Sequence, residues 1–496
     1  MSAASTLGGD KISTMDLSLK EHDKKVRALA EQMREFYKNG TKVRIYHGST
    51  NSTRAQKFEA DKMLDTSGFT EIIAVNEKEQ YALVESNVPM DALVRETLKH
   101  GLIPPVVPEF PGITIGGAVQ GGAGESSSFK YGAVHDCCVE YEMVLGNGEV
   151  IRVSREAHGD LFLGTAGSYG TLGAVTLVKI KLLSVTAYVR LRYQTCKNLP
   201  ETIAALQQAA RSDVDFVDGI IFSESCSVVM TGVRSNEPLP QVPRFTRARD
   251  DWFYLHAEKI AATNDSYEEA VPLLDYLFRY DRGGFWIGRH AFEWWSIPFN
   301  AFTRFLLDPY MKTRTLADVV HATNGSQRFV VQDICLPENR AEEFIRFLWT
   351  IVDIRPLWLL PVKLSDAAPL LSSPLRSSLV LDVGVWGMIP GDGGYEAYYE
   401  VNRQIEKKTL TLGGFKIPYG HVLCSREEFW SVCDESWYRT IRKKYHADRA
   451  FPDIYDKVYV GEKYRATIAR GLGRLLYRKL KTGLGLSKKE LWTLIR

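Results

Sequence analysis

The sequence predicts an α+β fold in two main units, on three observations. Through about residue 185, short alternating segments are joined by tight glycine turns, the signature of antiparallel hairpins. From Ala187 the pattern changes to longer alternating strands separated by amphipathic helices, which opens a second unit at 186. Between Pro104 and Thr176, strands run into glycine-rich stretches whose backbone can come close to another molecule.

Taken in order, residues 1–18 are small and polar and predict no element. From Glu21, the positions Val26, Leu29, Met33 and Phe36 follow helical spacing, and Asn39-Gly40 ends that helix. Lys42 to Tyr46 alternates as a strand and leads into a polar, turn-prone loop, His47-Gly48-Ser49-Thr50-Asn51-Ser52-Thr53-Arg54. Glu71 to Glu85 reads as two strands about Asn76-Glu77-Lys78, and Pro89 to His100 as a helix ending at Gly101. Pro104, Pro105 and Pro108 stiffen the lead into a loop at Thr114–Ser128, where five glycines fall within residues 114–124. Cys138–Leu145 and Glu149–Val153 make a hairpin about Gly146-Asn147-Gly148. Gly164 to Thr176 is glycine-rich again and ends in a strand.

In the second unit, strands are expected at Tyr188–Tyr193, Phe216–Phe222 and Cys226–Val233, with a helix over Leu199–Arg211 and a loop from Asn236 to Arg249. Phe285 to Tyr310 concentrates Trp286, Trp294, Trp295 and five phenylalanines. A buried aromatic layer accounts for this; so does an apolar pocket or membrane-facing mouth for a greasy substrate. Helical segments follow from Arg426.

Composition excludes several classes of function. With 62 Lys and Arg against 60 Asp and Glu, the chain has no nucleic-acid footprint. Its seven cysteines form no CxxC pair, so neither a disulfide framework nor a metal site is expected. No apolar run reaches membrane-spanning length and no signal-peptide core is evident, so a cytoplasmic chain is expected. The tail 464–496 carries nine Lys or Arg and one acid, leaving about −6 for the rest. Leucines interleave with these cations, which suits either peripheral contact with an anionic membrane or a solvated helix packed on the body. Four glycines between 471 and 485 count against one long helix.

Three glycine-rich loops at strand ends suit an extended ligand with a pyrophosphate and a flat ring system, although such loops are often only tight turns. Candidate binding residues are His47, Gly48, Ser49, Thr50 and Asn51 in the first, Thr114, Gly116, Gly117, Gly121, Gly122, Gly124, Ser126 and Ser127 in the second, and Gly173 and Val175 in the third.

The segments 47–52, 108–132, 140–151, 160–162 and 167–176 together resemble the FAD-binding domain of the vanillyl-alcohol oxidase and p-cresol methylhydroxylase (PCMH) type. Within that superfamily, Gly124–Gly132 is similar to the delta(24)-sterol reductase branch. So are Phe285-Trp286, Ile297–Asn300, Val330–Ile334, Arg355–Trp358, Arg426–Trp430 and Ala450–Lys457, so that the resemblance spans roughly residues 25–460. It implies a two-part FAD-binding domain at 1–185 and an α+β substrate domain with an antiparallel sheet at 186–425. A helical segment at 426–463 then returns to the flavin domain, ahead of the basic tail.

The resemblance also implies a reaction: NADPH-dependent reduction of a carbon–carbon double bond in a sterol or related lipophilic terpenoid. Because an isolated alkene accepts hydride poorly, an acid must deliver a proton early. Tyr419 falls where the branch has a tyrosine ahead of the Arg-Glu-Glu-Phe-Trp motif, and His421 is its expected partner. Tyr419 reads equally as an interdomain hydrogen-bonding residue. FAD is expected to be non-covalent, since tethering relatives place a histidine nearest the position of Thr50. No GxGxxG motif follows a strand, so NADPH is expected to enter only transiently. The branch carries an N-terminal hydrophobic segment that this sequence does not show, which leaves the tail as the route to peripheral contact with the endoplasmic reticulum membrane. An FAD-dependent oxidase or dehydrogenase of a specialised metabolite, and a non-catalytic flavin-fold lipid-binding protein, are the alternatives.

Overall fold

The structure, a computed structural model, describes residues 14–48, 52–54, 59–365, 369–371, 375, 378–389, 391 and 394–464. It opens with the helix Thr14–Lys38, which buries Val26, Leu29, Ala30 and Met33 against the first sheet. A short parallel pair, Arg44–Tyr46 with Met63–Asp65, follows. Next comes a five-stranded antiparallel sheet whose spatial order is Ile72–Asn76, Tyr81–Glu85, Ala174–Lys181, Cys138–Val144 and Val150–Ser154.

The stretch expected to be a loop at 114–128 instead contains a helix, Ile115–Gly121. Thr114 Oγ1 caps it by accepting from Gly117 N at 3.3 Å, and Gly122 ends it at φ 71°, the left-handed conformation of a C-terminal glycine cap. Glycine is a poor helix former, so packing and not propensity decides here. A Cβ at Gly116 would lie 2.8 Å from both Ser86 Cβ and Ser86 O, and only a bare backbone lets the helix sit this close to the strand end.

The second unit is built on an eight-stranded antiparallel sheet. Its order is Ser266–Pro272, Tyr188–Cys196, Cys226–Ser235, Phe216–Ser223, Leu357–Lys363, Leu379–Met388, Phe329–Pro337 and Phe415–Lys416. Alternation divides its faces. Leu357, Leu359, Leu381, Val383 and Val385 pack in one core with the helices Leu199–Ala209 and Ala341–Ile351. Trp358, Leu360, Asp382, Trp386, Asp333 and Cys335 point the other way, into a cavity shared with the first unit.

The C-terminal helices Glu435–Lys444 and Ala447–Ala450 pack against the first unit. Tyr438 Oη donates to Thr171 Oγ1 at 2.8 Å, Arg442 to the Thr171 carbonyl at 2.9 Å, and Val43 N to the Ala450 carbonyl at 2.8 Å. Among the described residues no helix is long and apolar enough to cross a membrane. The tail beyond Tyr464 lies outside them.

Candidate active site

A cavity of about 390 Å³ lies between the two units. Of the candidate cofactor residues, His47, Thr114, Gly116, Gly117, Gly121, Gly122, Gly124 and Val175 line it. Gly48 follows His47 at φ 79°, with its Cα facing Ser67. Ser49, Thr50 and Asn51 lie outside the described residues.

Three expected binding residues turn elsewhere and are corrected. Ser126 Oγ hydrogen-bonds to the Glu125 carboxylate and faces Tyr276 Oη at 3.1 Å, while Ser127 Oγ donates to the Pro105 carbonyl at 2.9 Å. Both hydroxyls hold the loop to its own scaffold. Gly173 packs against Met143 and Val144, where a Cβ would come within 3.0 Å of Met143 Cε. Its small size serves the five-stranded sheet.

The wall on the side of the first unit is polar and under-satisfied. His47 Nδ1, Thr53 Oγ1, Asn87 Oδ1, Gln120 Oε1 and His135 Nδ1 are buried on residues that line the cavity, and none has a hydrogen-bond partner. Each such group left unpaired costs about 1–3 kcal/mol, so a bound polar molecule is what satisfies them. Two cations share this wall. Burial, with Arg44 and Arg54 nearby, pulls the Lys457 ammonium down to about 7, and burial lowers Arg54 to about 10. His47 falls to about 4 through burial and the charge of Lys457. An anion among these groups would relieve all three shifts.

The opposite wall carries acids. Asp333 accepts from Trp386 Nε1 at 3.0 Å, and burial raises its carboxyl to about 6. Burial also raises Glu109, to about 8, while Asp382 is held well above the usual range by burial and by the neighbouring Asp333 and Glu109. Tyr419 lines the cavity with its hydroxyl buried against Asp333, and burial beside Asp333, Asp382 and Glu109 strongly favours the neutral phenol. Arg54 fixes this loop by donating to the carbonyls of Pro418, Tyr419 and Gly420, and Thr53 N donates to the Tyr419 carbonyl at 3.2 Å. The wall therefore stores protons where the other wall stores positive charge.

His421, the expected partner of Tyr419, is corrected. It does not line the cavity; its Nδ1 lies 2.5 Å from Tyr398 Oη and its ring meets Tyr464 edge-on. Burial, with Arg54 and Lys416 nearby, lowers it to about 3, so it stays neutral and cannot supply a proton. The carboxyls that do face Tyr419 were missed. Glu109 stood in a lead read only as stiff. Asp333 and Asp382 were legible as lone acids in otherwise apolar strands, Val-Val-Gln-Asp-Ile-Cys-Leu and Leu-Val-Leu-Asp-Val-Gly-Val.

A polar, cation-bearing wall built from glycine-rich turns, facing an acidic wall across one cavity, defines the class: a flavin-dependent oxidoreductase. In agreement, a family model described as an FAD binding domain matches residues 24–154. The chain is 30% identical over 457 residues to the delta(24)-sterol reductase of Homo sapiens, covering 88% of this chain and 86% of that one. It is 28% identical over 478 residues to the delta(24)-sterol reductase homolog of Caenorhabditis elegans, covering 88% and 87%. The Arabidopsis thaliana delta(24)-sterol reductase is 27% identical over 504 residues, covering 90% and 86%. The chain belongs to the delta(24)-sterol reductase family, and its first unit is an FAD-binding domain of the PCMH type. The unpaired polar atoms and the two half-buried cations fit the phosphates and ring edges of that cofactor.

Proposed function

We propose that this protein reduces a carbon–carbon double bond in a sterol or related lipophilic terpenoid, with FAD as its bound cofactor and NADPH as the transient reductant. The division of labour we assign is FAD binding by 1–185, substrate enclosure by 186–425, closure by 426–463 and peripheral membrane contact by the tail. FAD, when bound and reduced, supplies the hydride. His47, Thr114, Gly116, Gly117, Gln120, Gly121, Gly122 and Gly124 hold it, with Arg54 and Lys457 balancing its phosphates. Tyr419 donates the proton to the second alkene carbon, and Asp382 and Glu109 hold protons behind it. Trp358, Leu360 and Val362 keep this end of the cavity dry.

The observation that carries this reading is the set of buried acids around Tyr419, raised so that protons are retained near neutral pH. Alkene reduction requires a donor there, whereas an oxidase would need a base. Mixing the protein with NADPH without oxygen should bleach the flavin, and side-chain-unsaturated sterols should then gain the mass of two hydrogens. A flavin that NADPH leaves oxidised, with substrate losing hydrogen in air, would establish the oxidase instead.

A pH dependence follows. Glu109 is protonated below its value of about 8 and ionised above it, so reduction is expected to hold through neutrality and decline as pH rises through about 8. Glu109→Gln should flatten that alkaline limb, and a limb unchanged in the variant would assign it to another group. For the tail, a chain ending at Tyr464 should bind anionic vesicles more weakly than the full chain; equal binding would remove it from membrane contact.

A further inference from the structure

The aromatic stretch divides into an inner and an outer part. Phe285, Trp286 and Phe292 are buried, with Trp286 Nε1 donating to the Trp386 carbonyl at 2.6 Å. The outer part protrudes. The helix Ala301–Leu307 buries none of its residues, and Phe302, Leu306 and Phe305, at 72%, 62% and 53% exposure, are the most exposed large apolar side chains among the described residues. Positions 302, 305 and 306 share one helical face, and Trp295 stands beside it in sequence at 48% exposure. This tip is built, not frayed. Asn300 and Thr303 cap the helix reciprocally, and Phe299 beneath packs edge-on to Trp252 and Phe292 at 5.4 and 5.1 Å.

Two further features say what covers it. Around it Arg289, Arg304 and Arg314 are paired with Glu293, Asp251 and Asp91, while the exposed Lys312 and the exposed Arg328, which lies 4.2 Å over the Trp294 ring, make no ion pair among the described residues. These two cations leave the excess charge beside the apolar face positive, complementary to anionic headgroups. The tip also joins two cavity-lining segments: Ile287 precedes it, and Thr313, Leu316 and Val320 follow it. We infer that residues 295–307 dock the protein on a lipid bilayer, with the apolar face at the headgroup and acyl boundary, so that substrate passes from the bilayer toward the cavity between these segments. The docking surface stands independently of the reaction; only the entry route rests on the reductase reading.

The test uses the full chain and vesicles of phosphatidylcholine and phosphatidylserine. Amides in 295–307 should exchange more slowly when vesicles are added. The triple variant Phe302→Ser, Phe305→Ser, Leu306→Ser should lose this protection and partition about tenfold or more weakly, because three exposed apolar side chains no longer enter the boundary. Flavin content, and the rate with substrate dispersed in detergent, should not change. Absent vesicle binding, bound protein with 295–307 unprotected, or a triple variant that binds like wild type would each overturn the proposal. So would a dimer by light scattering that the triple variant dissolves, since a second copy would then cover the face. Failure of the detergent assay in the wild type would count against the reductase reading and leave the docking surface intact.

Discussion

Tyr419→Phe should retain its FAD and still be bleached by NADPH, while alkene saturation falls by about 10²–10⁴-fold, the usual contribution of a positioned proton donor. The substitution removes one buried hydroxyl beside Asp333 and leaves the rest of the side chain in place. Its ring, tilted against Trp386 with centroids 6.3 Å apart, is kept by phenylalanine. The separation of half-reactions makes this informative: reduction of the flavin needs no proton from this wall, whereas saturation does. Stopped-flow absorbance reports the first and mass change of the product the second. A variant that lost flavin and turnover together would show Tyr419 to be an interdomain brace, in keeping with the hydrogen bonds from Thr53 and Arg54 to its carbonyl.

Arg279→Met should destabilise the protein by about 3–5 kcal/mol, because it removes one partner from a fully buried ion network and leaves the others uncompensated. Arg279 Nη2 lies 2.9 Å from Glu125 Oε1 and 2.9 Å from Asp218 Oδ2, and its guanidinium stacks 4.1 Å from the Tyr276 ring centroid. Tyr280 Oη and Trp358 Nε1 also donate to Asp218, at 2.8 and 3.1 Å. Glu125 comes from the flavin unit, and Asp218 and Arg279 from the second, so the network ties the two halves together behind the cavity. Denaturant unfolding measures the loss. Arg279→Met combined with Glu125→Gln and Asp218→Asn should recover part of it, since the stranded charges are then gone; no recovery would mean that the guanidinium acts through ring packing alone.

Neighbours in the chain were sufficient for much of this molecule. Helical spacing at Val26, Leu29 and Met33 marked the opening helix, the glycine turn at 146–148 marked its hairpin, and the change of pattern near 187 preceded the first strand of the large sheet at Tyr188. At 115–121 the same logic failed. A run of glycines reads as a loop until Ser86 is known to press against it, and that contact spans about thirty residues of sequence.

What the sequence determined by itself was chemistry that is local: alternation, caps, turns and the glycine-rich order that pointed to a flavin cofactor. What only the tertiary structure decided was which side chains meet. Pairing of Asp333 with Gly384 and of Cys335 with Asp382 sets two acids, far apart in the chain, on one face of adjoining strands. Tyr419 enters the cavity beside them, whereas His421, two residues later, is turned into the protein toward Tyr398. The physical reason is that a carboxyl or phenol acquires its proton affinity from burial and from charges brought near by folding, and neither is a property of its own stretch of chain.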